Sequence, residues 1–288
     1  MNFGNVLTAM VTPFDEDGNM DLEKTTVLIE YLLNNGTEGL VVSGTTGESP
    51  TLSTEEKINL FKHVVKVVNK RVPVIAGTGS NNTADSITLT KYAENCGMDA
   101  IMLVVPYYNK PSQSGMYEHF TAIAKETTLP IMLYNIPGRS VVKMNAETII
   151  NLSKIKNIVS VKEASGDLDQ VSEIIEETSD QFSVYCGDDG LTLPMLSIGA
   201  DGVVSVASHI IGNEIKDMVN NFKKGNVKKA ALTHRKLLPV MNGLFSQPSP
   251  IPVKTALQMK GIEVGSVRLP LVALTKQEKL ELKKIVDQ

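Results

Sequence analysis

The sequence predicts a (β/α)8 barrel, an α/β fold, with a C-terminal helical appendix. Three observations lead there. Short apolar, β-branched runs recur eight times, stretches with helical spacing separate most of them, and nothing announces the topological switch that an open doubly wound sheet would need. The 288 residues suffice for a barrel of about 250 residues and a modest appendix.

Taken in order, the first run lies near residues 5–11 and is followed by helical spacing over 22–33. The second, near 38–43, passes through a glycine-rich turn into a helix over 54–68. Runs near 73–76 and 99–104 precede helices over 83–95 and 116–127, and runs near 130–135 and 157–162 precede helices over 146–152 and 168–177. The last two runs lie near 182–186 and 202–206. Beyond Asn213 the strand signal stops, and the rest reads as helices broken at Gly225-Asn226, over 246–252 and over 268–270. The expected division is a barrel over 1–224 and a helical region over 225–288.

The net charge of −4 and the scattered basic residues supply neither the cationic stripe of a nucleic-acid binder nor a polybasic membrane anchor. The N-terminal stretch lacks the pattern of a signal peptide, and no apolar run reaches the roughly 18 residues needed to span a bilayer. A cytoplasmic protein with small-molecule partners and further copies of itself is expected. The two cysteines, Cys96 and Cys186, show no metal-ligand spacing and read as reduced, packed thiols.

In such barrels the active site lies at the C-terminal ends of the strands, so the polar residues that close each run carry the functional signal. Lys162 ends the otherwise apolar run Asn157 to Val161. An amine held away from water there is more readily neutral and can attack a carbonyl to form an imine. A lysine that merely reaches solvent at a strand end fits the same position. Tyr134 closes the neighbouring strand and offers a phenol that can pass protons, although a half-buried packing tyrosine reads identically.

Gly44-Thr45-Thr46-Gly47-Glu48 presents hydroxyls and backbone amides in a tight turn, suited to a carboxylate, and lacks the lysine of a phosphate-binding loop. Arg139, just past Tyr134, offers a planar fork for a second carboxylate, and a surface arginine is the plainer alternative. A metal site is not expected. His63, His119 and His234 fall in helical stretches, His209 falls in the loop after strand eight without a partner at ligand spacing, and Asp188-Asp189 is explained as well by helix capping.

Nine segments together resemble the dihydrodipicolinate synthases, also called 4-hydroxy-tetrahydrodipicolinate synthases, of the pyruvate-dependent class I aldolase superfamily. They are TAMVTPF at 8–14, GTTGESPTL at 44–52, AGTGSNNT at 76–83, PYYNKPSQ at 106–113, LYNIPGRS at 133–140, VKEASGD at 161–167, GDDGLTLP at 187–194, GVVSVASH at 202–209 and PIPVKTAL at 250–257. The resemblance covers essentially the whole chain.

It implies condensation of pyruvate with L-aspartate 4-semialdehyde, on the way to diaminopimelate and lysine, with no metal or organic cofactor. By the same resemblance Lys162 carries the imine, Tyr134 donates and accepts protons, and Thr45 with Tyr108 completes a relay. Tyr108 would reach in from a neighbouring subunit, making a homo-oligomer part of the site, with a homotetramer built as a dimer of dimers as the expectation. Thr46 would contact the pyruvate carboxylate, Val204 and Gly187 would lie close to bound pyruvate, and Arg139 would grip the semialdehyde carboxylate.

The family's feedback pocket maps to Ser49, Pro50, Thr54, Lys57, Asn81, Asp85 and Tyr107. Lys57 departs from the histidine or glutamate usual in lysine-sensitive members, and an amine there repels a cationic effector, so insensitivity to lysine is expected. A sister aldolase acting on N-acetylneuraminate or keto-deoxy sugar acids is the nearest rival reading. A non-catalytic barrel that binds a keto acid is the rival from another class.

Overall fold

A computed structural model describes residues 2–287. Eight strands, Val6–Ala9 (β1), Gly39–Val42 (β2), Val74–Gly77 (β3), Ala100–Val104 (β4), Ile131–Asn135 (β5), Ile158–Glu163 (β6), Ser183–Cys186 (β7) and Gly202–Ser205 (β8), close into one barrel in chain order. Every pair is parallel, including β1 with β8, so closure leaves no free sheet edge. The strands are buried almost throughout, which is why they read as continuous apolar runs and not as alternating ones.

Around the barrel run Leu22–Asn34 (α1), Thr54–Val68 (α2), Thr83–Asn95 (α3), Gln113–Ala124 (α4), the single turn Pro137–Ser140 (α5), Ala146–Leu152 (α6), Leu168–Glu177 (α7), Thr192–Ser197 (α8) and Ser208–Lys223 (α9). Side-chain caps fix where several begin. Asp21, Asn82, Ser112 and Asp167 each accept a backbone N–H of the following turn, and Ser53 with Glu56 forms a reciprocal capping box at α2. Beyond the barrel lie Val227–Gly243 (α10), Ile251–Met259 (α11) and Lys276–Val286 (α12), the last opened by a second capping box at Thr275 and Glu278.

Three expectations are corrected. The helix read at 116–127 is α4, Gln113–Ala124, because the Ser112 cap starts it a turn ahead of the apolar residues. The first strand stops at Ala9: Met10 and Val11 stay buried, but the Val11 amide donates to His209 Nε2 and leaves the ladder. His209 is not in a loop but in the first turn of α9, its ring fully buried. Cys96 and Cys186 are both free thiols.

His209 Nδ1 lies 2.8 Å from the Val206 carbonyl and Nε2 accepts from Val11, a pairing that suits the neutral ring. Burial pulls His209 down to about 4, and does the same to His119, whose Nδ1 pairs with Thr83 Oγ1. A base whose folded pKa is depressed stabilises the fold above its unfolded value near 6.5 and loses that contribution as pH falls toward 4. Each ring is worth up to about 3 kcal/mol over that window. The urea midpoint should therefore drop between about pH 7 and about pH 5, and a flat midpoint would contradict the assignment.

Candidate active site

Strand register decides what reaches the barrel mouth. Tyr134 pairs with Lys162 and Asn135 with Glu163 across β5 and β6, and side chains alternate along a strand, so the first pair faces one way and the second the other. Lys162 is 5% exposed, and its Nζ sits 4.1 Å from the centroid of the Tyr134 ring. The amine is thus held inside the barrel against the phenol and not splayed into solvent.

Gly187, just past β7, is where the lysine stem passes. A Cβ there would stand 3.0 Å from Lys162 Cε, 3.1 Å from Cγ and 2.7 Å from Ala164 Cβ, so only glycine leaves the stem its path.

A cavity of about 270 Å³ is lined by Tyr134 of this pair and not by Lys162. Thr45, Tyr134 and Arg139 line it, joined by Ser49, Pro50, Lys57 and Tyr107 of the expected effector set. Its lining holds two cations, Lys57 and Arg139, and no carboxylate, a balance that favours anionic ligands. Burial holds the Lys57 amine below the usual lysine range. Arg139 stands on the one-turn α5.

Thr46 and Val204 are buried and, like Lys162 and Gly187, do not line the cavity. Thr54 and Asp85 are exposed in the first turns of α2 and α3, outside it. Asn81 also lies outside and donates to the Tyr107 carbonyl, bracing that loop. Tyr108 is not brought to the site of its own chain: it is 87% exposed, with φ of +73° in the left-handed region. A bulky residue held there carries strain of roughly 1–3 kcal/mol, which is characteristic of functional positions. Among the described residues no three His, Cys, Asp or Glu side chains gather as a metal-ligand set, and no helix is long and apolar enough to cross a membrane.

The model of the dihydrodipicolinate synthetase family matches residues 2–288. The chain belongs to that family. It is 63% identical to the 4-hydroxy-tetrahydrodipicolinate synthase of Bacillus subtilis, with all of both chains covered, and 62% identical to that of Bacillus velezensis, again over both full lengths. A dihydrodipicolinate synthase structure from Bacillus anthracis superposes with a TM-score of 0.98 at 60% identity, covering 100% of this chain and 98% of the other. One from Cyanidioschyzon merolae, solved with lysine bound, superposes at 0.97 and 46% identity, covering 99% and 97%.

Sequence reasoning missed how buried polar groups hold the strand ends around Tyr134, Lys162 and Val204. Glu163 faces away from Lys162. Its carboxylate accepts from Asn135 Nδ2 (2.9 Å), Gln170 Nε2 (3.1 Å) and the Ser165 amide (2.8 Å), tying the ends of β5 and β6 to α7. Asp189, fully buried, accepts from the Ser205 hydroxyl and from the amides of Val206 and Ala207, and so fixes the turn that follows Val204. Burial raises the Asp189 pKa even though these donors oppose it.

Ser43, in the left-handed region, lines the cavity, and its carbonyl lies so near Gly77 that a Cβ there would meet it at 2.4 Å. Glu48, the last residue of the GTTGE turn, forms a buried ion pair with Lys254 of α11 at 2.7 Å. Burial pulls the Lys254 amine down to about 8, with Glu48 opposing. Gly77 and Gly79 are the hint the sequence carries, and apart from Ser165, two residues from Glu163, the hydrogen-bond partners lie seven or more residues apart.

Proposed function

We propose that this chain condenses pyruvate with L-aspartate 4-semialdehyde to 4-hydroxy-tetrahydrodipicolinate through a Schiff base on Lys162. The observation that carries the reading is the buried Lys162 amine against the ring of Tyr134, which in turn lines a cavity with two cations and no carboxylate. Both substrates are carboxylates. The names of the full-length Bacillus relatives support the same reaction.

In this mechanism the uncharged Lys162 amine attacks the ketone carbon of pyruvate, and Tyr134 passes the protons needed to expel the oxygen as water. The imine tautomerises to an enamine, whose carbon bonds to the aldehyde carbon. The amine of the second substrate then attacks the imine carbon, closing the ring and releasing Lys162. The protonated imine is the electron sink, so neither metal nor organic cofactor is required. Thr46 holds the pyruvate carboxylate, with Val204 and Gly187 close to bound pyruvate, and Arg139 holds the carboxylate of the semialdehyde.

Tyr108 acts with Thr45 in a neighbouring subunit's relay, which accounts for its exposure and strained backbone in a single chain, and a homotetramer of two such dimers is the expected assembly. Residues 1–224 are the catalytic barrel and 225–288 a supporting helical region, in a cytoplasmic enzyme. Incubation with pyruvate and borohydride tests the reading: peptide mass spectrometry should find a reduced pyruvate adduct on Lys162. An adduct elsewhere, or none, would sink it.

Ser49, Pro50, Thr54, Lys57, Asn81, Asp85 and Tyr107 are the positions matching the family's effector pocket. The Lys57 amine repels a second ammonium there. Initial rates should be unchanged by millimolar-scale L-lysine. Marked inhibition in that range would show that Lys57 does not exclude the effector.

A further inference from the structure

We infer that Lys254 and Arg268, from the helical region beyond the barrel, are positioning residues for the turn that presents Thr45 and Thr46, and so set affinity for the keto acid. The inference rests on the reading of that turn as the carboxylate cradle. Glu48 ends the turn in the left-handed region, at φ 55° and ψ 36°, and is 3% exposed. Its amide closes on the Thr45 carbonyl at 3.0 Å, and Ser49 closes on Gly44 at 3.2 Å. From outside, the Thr12 hydroxyl donates to the Gly47 carbonyl at 2.7 Å, and the Glu48 carboxylate ties the turn to the helical region. Oε1 pairs with Lys254 Nζ at 2.7 Å, and Oε2 accepts the Arg268 amide at 2.9 Å.

Both basic residues are in turn fixed. Lys254 Nζ donates to the Ser266 carbonyl at 2.8 Å and lies 4.0 Å from the centroid of the Phe14 ring. Arg268 shares that ring at 4.3 Å, donates to the carbonyls of Gly18 and Thr51, and pairs with Glu56 at the head of α2. Buried ion pairs add little net stability relative to apolar packing, whereas losing one partner leaves an uncompensated charge. A device of this kind specifies one conformation. Here the conformation specified is that of the Thr45-Thr46 segment, in which Thr45 lines the cavity and Thr46 is buried two residues from Glu48.

A hydroxyl displaced by about 1 Å can cost up to a hundredfold where substrate must be held in register. In the full-length chain, Lys254→Met should raise KM for pyruvate by about tenfold. Saturated kcat and KM for the semialdehyde should move by less than about threefold, and borohydride trapping at low pyruvate should slow in proportion to the KM change. Assays are run below the onset of unfolding. Leu282→Ala, in the buried face of α12, serves as a control that lowers stability without moving KM.

Arg268→Gln, at a half-buried position, should raise the same KM by about threefold and tests the idea if Lys254→Met does not fold. A pyruvate KM within about twofold of wild type in the folded variants overturns the inference. So does an equal rise in Leu282→Ala. Should wild type itself give no Lys162 adduct, the proposed function fails and takes this inference with it; normal wild-type trapping with an unmoved KM removes the inference alone.

Discussion

Lys162→Ala should lower the condensation rate by on the order of 10⁴-fold or more, because deleting a covalent nucleophile removes the pathway and not one contact within it. The side chain also packs: its stem runs over Gly187 and its amine over the Tyr134 ring, so truncation leaves a small void at the end of β6. The stability cost of that void is about 1–3 kcal/mol, too little to unfold the protein. Lys162→Arg separates packing from chemistry, since a long basic side chain still fills the space beside the ring and cannot act as an amine nucleophile. Both variants should be folded by circular dichroism, give no borohydride-trapped adduct at residue 162, and be inactive in the coupled assay. A Lys162→Ala rate within about a hundredfold of wild type would mean that the imine forms elsewhere or not at all.

The barrel was legible because burial on both faces writes each strand as an uninterrupted apolar run, and the pair Tyr134 and Lys162 because a polar residue ending such a run is conspicuous. What remained hidden depends on register. Asn135 and Glu163 stand next to Tyr134 and Lys162 and are equally polar, yet the alternation of the strand turns them outward to Gln170 and the Met144 carbonyl, where they brace the strand ends. No local pattern tells which of two consecutive polar residues faces in.

Glu48 is the longer-range case. It reads as part of a ligand-binding turn, and only the fold reveals that its partner Arg268 comes from 220 residues away. The sequence positions matched to an effector pocket divide for a similar reason. Ser49, Pro50, Lys57 and Tyr107 meet at the cavity, while Thr54 and Asp85 stay in exposed first helical turns of a single chain.

Tyr134→Phe should lower kcat by roughly 10²–10³-fold while leaving the fold nearly as stable as wild type, and the combination is what identifies a proton-transfer role. The ring is 4% exposed and packs on Lys162, so the aromatic body is structural and phenylalanine supplies it unchanged. The hydroxyl differs. Among the described residues none hydrogen-bonds to it, and the side chain lines the cavity. A tyrosine kept for packing with its oxygen satisfied would lose a hydrogen bond on this substitution, at about 1 kcal/mol of stability, and would lose little rate.

An oxygen with no partner among the described residues has none of them to lose, so the expected change in unfolding free energy is within about 0.5 kcal/mol. The lost rate should fall on steps that need a proton moved at the carbinolamine. Trapping on Lys162 should still occur, but slowly, with its rate reduced in step with kcat. If the variant instead loses stability and keeps its rate, the phenol is a packing group and another donor must serve the imine.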